Sequence, residues 1–414
     1  MIITTSPKGT EDLLPQESYK WQYLEEKFKK TADLYNYKEI RVPTFEHTEL
    51  FERGVGDTTD VVEKQMYTFN DKGGRSITLR PEGTASVARS FLQNSLYAMP
   101  MPMKMFYNIA CFRYENKQKG RLREFHQFGV EVFGAKNASM DAEIISLALT
   151  FLDSVGLKDL SVNINSIGCP SCRKAYSEAL KEYLRPHYDE LCDTCKSRFE
   201  RNPLRILDCK SEICGEIVKG APILLDYICD DCREHFEQFK ACLDSMGITY
   251  KIDSGIVRGL DYYTKTVFEI ISGDFTVCGG GRYDGLVEEL GGKSTPAVGF
   301  GLGIERLILR LEETGAKIPK PESLKLYIAP LGENAVAAAQ KMVYDLRRSG
   351  ISTDTDRMGR GLRASMKYAD KLGAQYTIVL GDDEIEKGEA NIKNMLTGEQ
   401  TMICLDAVAE FLNK

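Results

Sequence analysis

Two arginines on either side of a short basic loop are the first residues of this sequence that could do chemistry. Arg113 and Arg121 flank the loop, and the returning segment continues to Gln127 and Glu131. A guanidinium group stays charged and binds phosphate oxygens in pairs. Gln127 and Glu131 are four residues apart on a predicted strand, so both side chains point to one face. The pattern predicts a hairpin that holds a polyphosphate beside a polar pocket; a solvated hairpin with paired charges is the alternative.

A second candidate is the turn at 79–84, where the run Leu-Arg-Pro-Glu-Gly-Thr carries Glu82. A carboxylate at this position can pair with the ammonium group of a substrate, and the turn lets the backbone approach a ligand closely. An ordinary surface hairpin explains these residues equally well when they are taken alone.

Later in the chain, Arg258, Tyr262 and Tyr263 stand close together in a third candidate segment. Tyrosine hydroxyls can orient a polar ring, and an arginine can offset negative charge. Glycine-rich segments follow at 278–284 and 298–307. Glycine permits close approach of the backbone to a ligand, although a triple glycine is more often a simple turn. The second segment is not a dinucleotide-binding fingerprint, because its glycines lack the required third spacing.

Eight of the twelve cysteines fall between residues 169 and 232. They form three C-x-x-C pairs and one wider pair: Cys169 with Cys172, Cys192 with Cys195, Cys229 with Cys232, and Cys209 with Cys214. This spacing suits Zn²⁺, which takes four soft ligands and can replace a core that a short insertion cannot build. Two zinc sites would use all eight cysteines. Small buried thiols in a reducing compartment are the alternative.

The composition is that of an ordinary folded protein, and 414 residues exceed one typical core, so we expect two to three domains. A net charge of −7 argues against sequence-blind coating of nucleic acid but permits a local basic groove. No segment has the length and apolar character of a membrane span, and no export signal opens the chain. We therefore expect a cytoplasmic protein with reduced thiols.

These candidate residues must be positioned by sheets and helices. Helical spacing of Trp21, Leu24 and Phe28 predicts an amphipathic helix over 18–34. Similar periodicity predicts further helices over 141–152, 173–184 and 304–313. Apolar, β-branched and aromatic runs predict strands of an antiparallel sheet over 39–43, 76–79, 104–114, 127–133, 160–167, 250–271 and 275–281.

A linker at 314–323, with Gly315, Pro319 and Pro321, separates this part from the rest of the chain. Beyond it, strand and helix patterns alternate up to about residue 394. The predicted strands are 324–329, 351–354, 376–380 and 389–394, and the predicted helices are 335–349 and 361–372. This alternation predicts a small α/β domain with a mainly parallel sheet.

Together these segments resemble the histidyl-tRNA synthetase family over nearly the whole chain. The residues at 258–263 and 280–284 are similar to the family's two histidine signatures. The family's opening and the three class II motifs resemble residues 7–12, 18–43, 112–131 and 301–306. The resemblance implies an α+β fold, with a class II synthetase antiparallel-sheet catalytic domain, a Cys-rich insertion and a C-terminal α/β anticodon-binding domain. The implied bounds are 1–168 and 246–318 for the catalytic domain, 169–245 for the insertion, and 324–414 for the anticodon-binding domain.

The resemblance also implies an activity. Members of this family activate histidine with ATP and Mg²⁺ to histidyl-adenylate, then transfer it to the 3′ end of the histidine tRNA, and they form homodimers through motif 1. Glu82, with Gly83 and Thr84, would hold the amino group of histidine. The amino-acid pocket would be lined by Gln127, Glu131, Tyr262 and Tyr263.

For ATP, the resemblance implies that Arg113 binds the α-phosphate and Arg121 the outer phosphates, with Glu115 beside them. Arg258 would stabilise the charge that builds at the α-phosphorus, and Phe125 and Arg306 would sandwich adenine. Fixed cations and Mg²⁺ must offset the repulsion when a carboxylate attacks an anionic phosphorus, so no protein nucleophile is needed.

In the C-terminal domain, basic side chains of a loop and the helix after it would contact tRNA: Arg357, Arg360, Arg363, Lys367 and Lys371. A solvated helix is the alternative. Both the loop and the helix lie in the part of the chain that resembles the anticodon-binding domain.

The sequence departs from the family pattern at Asn116–Lys117, Leu122 and Glu124, which bears on contacts with ATP and the tRNA acceptor end. One rival function is that of synthetase-like regulators of histidine biosynthesis, which do not charge tRNA. Such regulators usually lack the C-terminal domain and lose the signatures, whereas this chain keeps both. A second rival, a zinc-dependent nucleic-acid binder, leaves the four ligand-binding segments unexplained.

Overall fold

The computed structural model describes residues 4–56, 59–116, 118–209 and 211–413. The chain forms two compact units, Met1–Pro319 and Lys320–Lys414. Within the described residues, no helix has the length and apolarity needed to cross a membrane. Lys117, one of the departures from the family pattern, lies outside the described residues.

Two sheets make up the first unit. Its strands are β1 (Lys38–Glu39), β2 (Phe45–His47), β3 (Tyr67–Asn70), β4 (Ser76–Leu79), β5 (Met103–Phe112), β6 (Glu124–Phe133), β7 (Ser161–Ser166), β8 (Tyr250–Ile252), β9 (Thr264–Ser272), β10 (Phe275–Arg282) and β11 (Ala297–Gly303). The main sheet has the order β1-β5-β6-β11-β10-β9-β7-β8, and the small sheet has the order β2-β4-β3. All inner pairs of the main sheet are antiparallel, while its outermost pairs are parallel. The predicted antiparallel catalytic sheet is confirmed.

Helices lie on both faces of the main sheet, since alternate residues of β5 belong to two different core clusters. In the first unit they are α1 (Ser18–Leu34), α2 (Thr48–Val55), α3 (Thr84–Gln93), α4 (Ala138–Ser154), α5 (Pro170–Leu184), α6 (Asp193–Arg201), α7 (Glu212–Val218), α8 (Asp230–Ser245), α9 (Leu286–Glu289) and α10 (Ile304–Thr314). Short 3₁₀ or π turns occupy Val61–Gln65, Leu96–Ala98, Arg185–Glu190, Pro203–Ile206 and Leu224–Tyr227.

Helix α1 has the predicted bounds and buries its apolar face within its own chain. Trp21, Leu24 and Phe28 are buried in the core cluster that also contains strand β6. The Phe28 ring stacks on Phe128, with ring centroids 4.4 Å apart. These three residues are therefore covered within the chain, without a partner subunit.

The strand predicted over 250–271 is interrupted. The structure has β8 and β9 with a loop at 253–263 between them. The loop begins as a turn in which the Gly255 amide donates to Asp253 Oδ1 at 3.0 Å, and the Asn165 side chain donates to the Ile256 carbonyl at 3.0 Å. Side chains thus take the place of a partner strand. The prediction failed because the strand-like pattern of apolar residues does not reveal such turn-forming side chains. This loop is the segment that carries Arg258.

The strand predicted over 39–43 is also shorter, since β1 ends at Glu39. Arg80 takes the place of a neighbouring strand: its guanidinium Nη1 donates to the carbonyls of Val42 and Pro43 at 2.7 and 2.9 Å. Pro43 has no backbone N–H group to donate to a neighbouring strand, so strand pairing is incomplete here. The Arg80 side chain instead satisfies the two carbonyls.

Helices α5 to α8 form the cysteine-rich insertion, which enters after β7 and returns before β8. Helix α8 packs against α4 of the catalytic part, and His235 of α8 lies with its Nε2 3.4 Å from Asp141 Oδ1 of α4. Because Arg282 of β10 also pairs with Asp141, the insertion is tied to the glycine-rich strand. The domain bounds inferred from the sequence stay a prediction.

The second unit contains β12 (Leu326–Pro330), β13 (Thr353–Thr355), β14 (Tyr376–Leu380), β15 (Glu389–Asn394) and β16 (Gln400–Cys404), with α11 (Glu333–Arg348), α12 (Leu362–Lys371), α13 (Asp382–Lys387), α14 (Val408–Leu412) and a 3₁₀ turn at Leu405–Ala407. Its sheet has the order β13-β12-β14-β15-β16. Strand β12 is parallel to both neighbours, whereas β14, β15 and β16 are antiparallel in turn. The sheet is therefore mixed, not mainly parallel. The short turn that joins β15 to β16 accounts for the antiparallel pairing of these two strands.

Candidate active site

The centre of the candidate site is the carboxyl group of Glu131 on β6. Glu131 is 1% exposed and accepts hydrogen bonds from Thr84 Oγ1 at 2.7 Å and Tyr107 Oη at 3.1 Å. The Tyr283 hydroxyl donates to its other oxygen. Three hydroxyl groups from different parts of the chain therefore converge on one buried carboxyl group.

Burial raises the pKa of Glu131 to about 8, although hydrogen bonds from Tyr283 and Thr84 oppose the shift. Loss of water disfavours the charged form of a carboxyl group more than these hydroxyls favour it. A carboxyl group held in this way can exchange hydrogen bonds with a polar ring without competition from solvent.

The neighbouring strands are glycine-rich because the site side chains lie directly against their backbones. A Cβ atom on Gly299 of β11 would sit 2.0 Å from Glu131 Oε2, and one on Gly301 would sit 2.7 Å from Gln127 Nε2. On β10, a Cβ atom on Gly279 would sit 2.6 Å from the Arg258 guanidinium. The sequence had suggested that these glycines admit a ligand; in the structure they make room for Glu131, Gln127 and Arg258.

Tyr107, a residue that the sequence analysis did not single out, lies between two glycines. Cβ atoms on Gly83 and Gly129 would lie 2.4 and 2.2 Å from its Cζ atom. The ring therefore fits only where both flanking positions lack side chains, and it places its hydroxyl on Glu131. Its position on β5 was predicted as strand, but nothing in the local pattern distinguishes Tyr107 from an ordinary core aromatic.

Glu82 is 3% exposed and sits at the beginning of α3, where its oxygens accept from the backbone N–H groups of Thr84 at 2.8 Å and Ala85 at 2.7 Å. The Tyr262 hydroxyl donates to the same carboxylate at 3.4 Å. A carboxylate has about four acceptor positions, so these bonds leave one for a ligand. The turn at 79–84 is thus part of a buried site, not a surface hairpin.

Tyr262 and Tyr263 are both buried, with ring centroids 4.7 Å apart. The Tyr262 ring also lies 5.5 Å from the Tyr283 ring. The loop at 253–263 therefore lines the same pocket as Glu82 and Glu131. Tyr283 belongs to the segment 280–284 that resembles a histidine signature, yet the sequence did not indicate a role in the pocket for this residue.

Arg258 lies at the edge of this pocket. Its guanidinium donates to Glu269 of β9, which the sequence analysis missed, and lies 5.7 Å from the centroid of the Tyr263 ring. Its Nε atom is buried and has no hydrogen-bond partner within the described parts of the chain. A buried donor left in this way favours an anionic or polar ligand at this point.

The predicted phosphate-binding residues lie on the hairpin of β5 and β6 and on α10. Arg113 donates from Nε to the Pro81 carbonyl at 2.8 Å, and its guanidinium lies 5.3 Å from the centroid of the Phe125 ring. Arg121 is paired with Glu115 at 3.4 Å. These side chains are more exposed than Glu131, and 48% of the Arg121 side chain is accessible.

Arg306, at the beginning of α10, completes this edge. It donates to the carbonyls of Gly120 at 3.3 Å and Thr276 at 3.2 Å. Burial lowers the pKa of Arg306, and the nearby charges of Arg121 and Arg113 lower it further. The three guanidinium groups therefore lie close enough to repel one another, which favours binding of a multivalent anion.

The eight cysteines of the insertion form two clusters. Cluster 1 consists of Cys169, Cys172, Cys229 and Cys232, and cluster 2 consists of Cys192, Cys195, Cys209 and Cys214. Within each cluster all Sγ atoms lie within 4.8 Å of one another. Cluster 1 joins the first C-x-x-C pair to the last, a pairing that the sequence spacing did not specify.

The clusters have the geometry that a metal ion needs. Tetrahedral Zn²⁺ with sulfur at about 2.3 Å places sulfur atoms about 3.8 Å apart. The Sγ atoms of Cys192 and Cys209 are 3.8 Å apart, and those of Cys169 and Cys229 are 4.0 Å apart. The backbone amide of Cys229 also donates to Cys172 Sγ at 3.1 Å. Either cluster could hold one metal ion.

Comparison with known families identifies two matching segments. A family model described as histidyl-tRNA synthetase matches residues 9–183 and 218–307. A model described as an anticodon binding domain matches residues 325–414.

Curated relatives match along their full length. The chain is 59% identical over 411 residues to a histidine–tRNA ligase of Acetivibrio thermocellus, covering 98% of this chain and 99% of that protein. It is 60% identical over 405 residues to a histidine–tRNA ligase of Clostridium novyi, covering 98% of this chain and 97% of that protein.

Solved structures agree with these relatives. The apo histidyl-tRNA synthetase of S. aureus matches with a TM-score of 0.85 and 44% identity, covering 100% of both chains. A Bacillus halodurans structure, described as an ATP phosphoribosyltransferase regulatory subunit/histidyl-tRNA synthetase, has a TM-score of 0.67 at 24% identity, covering 92% of this chain and 99% of that one. The latter likeness concerns the fold alone.

Proposed function

This chain belongs to the histidyl-tRNA synthetase family, and we propose that the pocket around Glu131 is where it binds histidine. Its activity is that of a histidine–tRNA ligase, which activates histidine with ATP and transfers it to the 3′ end of the histidine tRNA. The observation that carries the assignment of the pocket is the buried Glu131 carboxyl group with its three hydroxyl donors.

Recognition of the imidazole ring rests on Glu131 and Tyr263, with Gln127 and Tyr262 completing the wall. An imidazole offers two nitrogens, one a donor and one an acceptor in the neutral form. An amino acid without these nitrogens would leave buried polar groups unpaired, and such rejection reaches several kcal/mol. The backbone turn at Gly83, with Glu82 and Thr84 beside it, receives the amino group.

ATP lies along the edge formed by the arginines. Arg113 contacts the α-phosphate, Arg121 contacts the outer phosphates, and adenine lies between Phe125 and Arg306. Because Arg113 stacks on one face of Phe125, adenine takes the other face or displaces that contact. Arg258 faces the α-phosphorus, where it offsets the charge that develops as the histidine carboxylate attacks.

The chemistry is positioning and charge stabilisation. The histidine carboxylate oxygen forms a bond to the α-phosphorus while the bond to the pyrophosphate oxygen breaks in line. Mg²⁺ bound with ATP would supply neutralisation of the phosphate charge. The carboxylates of Glu115 and Glu269 are oxygen donors of the kind that Mg²⁺ prefers, and each already pairs with a site arginine.

Amino-acid-dependent exchange of pyrophosphate into ATP tests this assignment directly. The exchange should proceed with histidine and with no other standard amino acid, because only histidine matches the polar groups of the pocket. Exchange supported by a different amino acid and not by histidine would overturn the assignment.

Each cysteine cluster binds one Zn²⁺ ion. The support is the convergence of four thiols within a few ångströms in each cluster, in a module whose two middle helices, α6 and α7, are short. Metal analysis should find about two zinc ions per chain. Cys172→Ser and Cys195→Ser should each lower the content by about one ion, while the control Cys242→Ser, outside both clusters, should not. A metal content near zero in protein purified under reducing conditions would refute the proposal.

In the C-terminal unit, the tRNA-binding face is the exposed side of α12. Arg357 pairs with Asp354, and Arg360 pairs with Asp356 at 2.6 Å, so these two charges are already used. Arg363, Lys367 and Lys371 are exposed and spaced by four residues along the helix. They form one basic stripe suited to phosphates beside an unpaired loop.

Charge reversal on this stripe separates tRNA binding from activation. The double variant Arg363→Glu and Lys367→Glu should raise the tRNA concentration needed for charging about tenfold or more. Pyrophosphate exchange should stay unchanged. The reversal Lys341→Glu on α11 serves as the control. Unaltered charging by the double variant would exclude α12 as the tRNA-binding face.

The chain forms a homodimer in the cytoplasm, where its tRNA product is consumed. The support for dimerisation is apolar surface on the small sheet next to motif 1, where Phe45 and Phe69 are 56% and 49% exposed. Sedimentation should show a dimer, and Phe45→Glu with Phe69→Glu should shift it toward monomer. An active monomer of the unaltered chain would contradict this.

A further inference from the structure

The loop at 257–263 holds Arg258 in an unusual backbone conformation. The φ angle of Arg258 is +53°, in the left-handed region that residues with a Cβ atom rarely occupy. Such a conformation costs free energy and persists only where the surroundings impose it. Something outside the loop must therefore hold it.

Arg205, in the 3₁₀ turn Pro203–Ile206 of the insertion, makes the contact at this point. Its Nη1 donates to the carbonyl oxygen of Arg258 at 3.0 Å. Arg205 is only 7% exposed, and its own carbonyl accepts from Arg198 Nη1 at 3.2 Å. Arg205 Nη2 also lies 3.9 Å from Asp60 Oδ2. This buried, paired arginine therefore restricts the orientation of the strained peptide group to which it donates.

Two further side chains of the insertion hold the other end of the loop. Arg173 Nη1 donates to the carbonyls of Asp261 at 3.2 Å and Tyr263 at 3.1 Å. Asn202 donates to the Asp261 side chain at 3.1 Å. In each of these bonds the donor belongs to the insertion and the acceptor to the loop.

The donors stand next to the cysteine clusters in the chain. Arg173 directly follows Cys172 of cluster 1. Asn202 and Arg205 lie between Cys195 and Cys209 of cluster 2. The donors to the loop are therefore close in the chain to residues of both cysteine clusters.

We infer that the cysteine-rich insertion positions the active-site loop, with Arg205 setting Arg258 and Arg173 setting the two tyrosines. This rests on the role proposed above for Arg258 in activation. Arg205 and Arg173 are positioning residues, since the hydrogen bonds that they donate to the loop go to backbone carbonyls. The two contacts have different kinetic consequences: Arg205 affects the rate of adenylate formation, and Arg173 affects the affinity for histidine.

The first test compares variants of the full-length enzyme. Arg205→Met keeps the side-chain stem but removes the donors, and it should lower the single-turnover rate of adenylate formation about 10- to 100-fold. The KM for histidine should change less than about threefold. Arg205→Lys, which keeps one charged donor, should recover part of the rate.

Arg173→Met should instead raise the KM for histidine by about tenfold with a smaller change in rate. Its matched control is Arg233→Met. Arg233 follows Cys232 as Arg173 follows Cys172 in the same cluster, but Arg233 is exposed. The control should behave as the unaltered enzyme. An equal effect of both substitutions would overturn the role of Arg173.

A double-mutant cycle then separates positioning from general destabilisation. In the background of Arg258→Met, Arg205→Met should cause no further loss of rate. Additive losses would mean that Arg205 acts without Arg258 and would overturn the inference. Circular dichroism and thermal unfolding show whether each variant folds. If Arg205→Met does not fold, the double-mutant cycle is measured with Arg205→Lys in its place.

Failure of the inference and failure of the proposed function give different results. If Arg258→Met itself leaves the rate of adenylate formation unchanged, the proposed role of Arg258 is wrong. If Arg258→Met is slow while Arg205→Met is normal, only the positioning role is wrong.

Discussion

The two ends of the active site differ in how deeply their side chains are buried and in how firmly those side chains are held. At the histidine end, Glu131 is 1% exposed and accepts three hydroxyl hydrogen bonds. At the ATP end, Arg121 has a side chain that is 48% accessible and forms an ion pair with Glu115 at 3.4 Å. The histidine end, termed the dry end, is shielded from solvent and prearranged. The ATP end, termed the wet end, is open to solvent and held less tightly.

This difference matches what each end must do. Discrimination among amino acids needs buried polar groups, because only a desolvated group exacts a large cost when its partner is missing. Binding of ATP needs many charges at moderate strength, because pyrophosphate must leave again after the reaction. Partly exposed arginines supply such binding, and solvent and salt screen the most exposed of them, Arg121.

Removal of the carboxyl group at the dry end should have the largest effect. Glu131→Ala leaves the hydroxyls of Thr84, Tyr107 and Tyr283 without their acceptor and removes the contact with imidazole. We expect kcat/KM for histidine to fall about 10³- to 10⁴-fold in pyrophosphate exchange. Glu115→Ala at the wet end should cost clearly less, because its ion pair with the half-exposed Arg121 is weak. Similar losses for the two variants would remove the contrast between the ends.

A methyl group placed against the carboxyl group should have the next largest effect. Gly299→Ala would bring a Cβ atom to 2.0 Å from Glu131 Oε2, so the side chain must move. Overpacking of this kind costs about 1–3 kcal/mol, and kcat/KM for histidine should fall about 10- to 100-fold. Gly285→Ala is the control, since a Cβ atom on exposed Gly285 meets nothing within 4 Å. A normal Gly299→Ala enzyme would show that the pocket is looser than its geometry indicates.

The buried carboxyl group should also make stability depend on pH. The pKa of Glu131 is raised from 4.5 to about 8, so its ionisation favours the unfolded chain. Its contribution to stability is complete below about pH 4.5 and is lost progressively as the pH rises to about 8. The melting temperature of Glu131→Gln minus that of the unaltered enzyme should increase as the pH rises through this interval. At higher pH this difference should stay constant. Thermal unfolding between pH 5 and 9 without ligands measures the difference; a constant difference would rule out the shifted pKa.

The smallest expected effect is that of salt, which should change the KM for the substrate of one end more than the KM for the substrate of the other. Raising the ionic strength from about 0.05 to 0.5 M should increase the KM for ATP a few-fold, because exposed charges are screened within about a Debye length. The KM for histidine should change much less. Initial-rate measurements with either substrate varied provide the comparison, and equal sensitivity of both KM values would contradict it.

Local patterns predicted much of the framework because they reflect local physics. The helix over 18–34 and the strands over 76–79, 376–380 and 389–394 have the predicted bounds. Predictions failed where side chains replaced backbone pairing, as at 253–263, where Asp253 and Asn165 hold the chain in a loop. The antiparallel pairing of the last two strands also followed from a turn that alternation did not reveal.

The sequence by itself determined the family, the fold class and the set of groups available for chemistry, because motif spacing and side-chain type are written in the chain. Only the tertiary structure decided which distant residues meet: that Tyr107 and Tyr283 complete Glu131, that Glu269 holds Arg258, and that the first and last C-x-x-C pairs share a cluster. These contacts join residues far apart in sequence, and strand order, glycine-lined clearance and the path of the insertion bring them together. Each depends on how whole elements pack, which no short segment of sequence specifies.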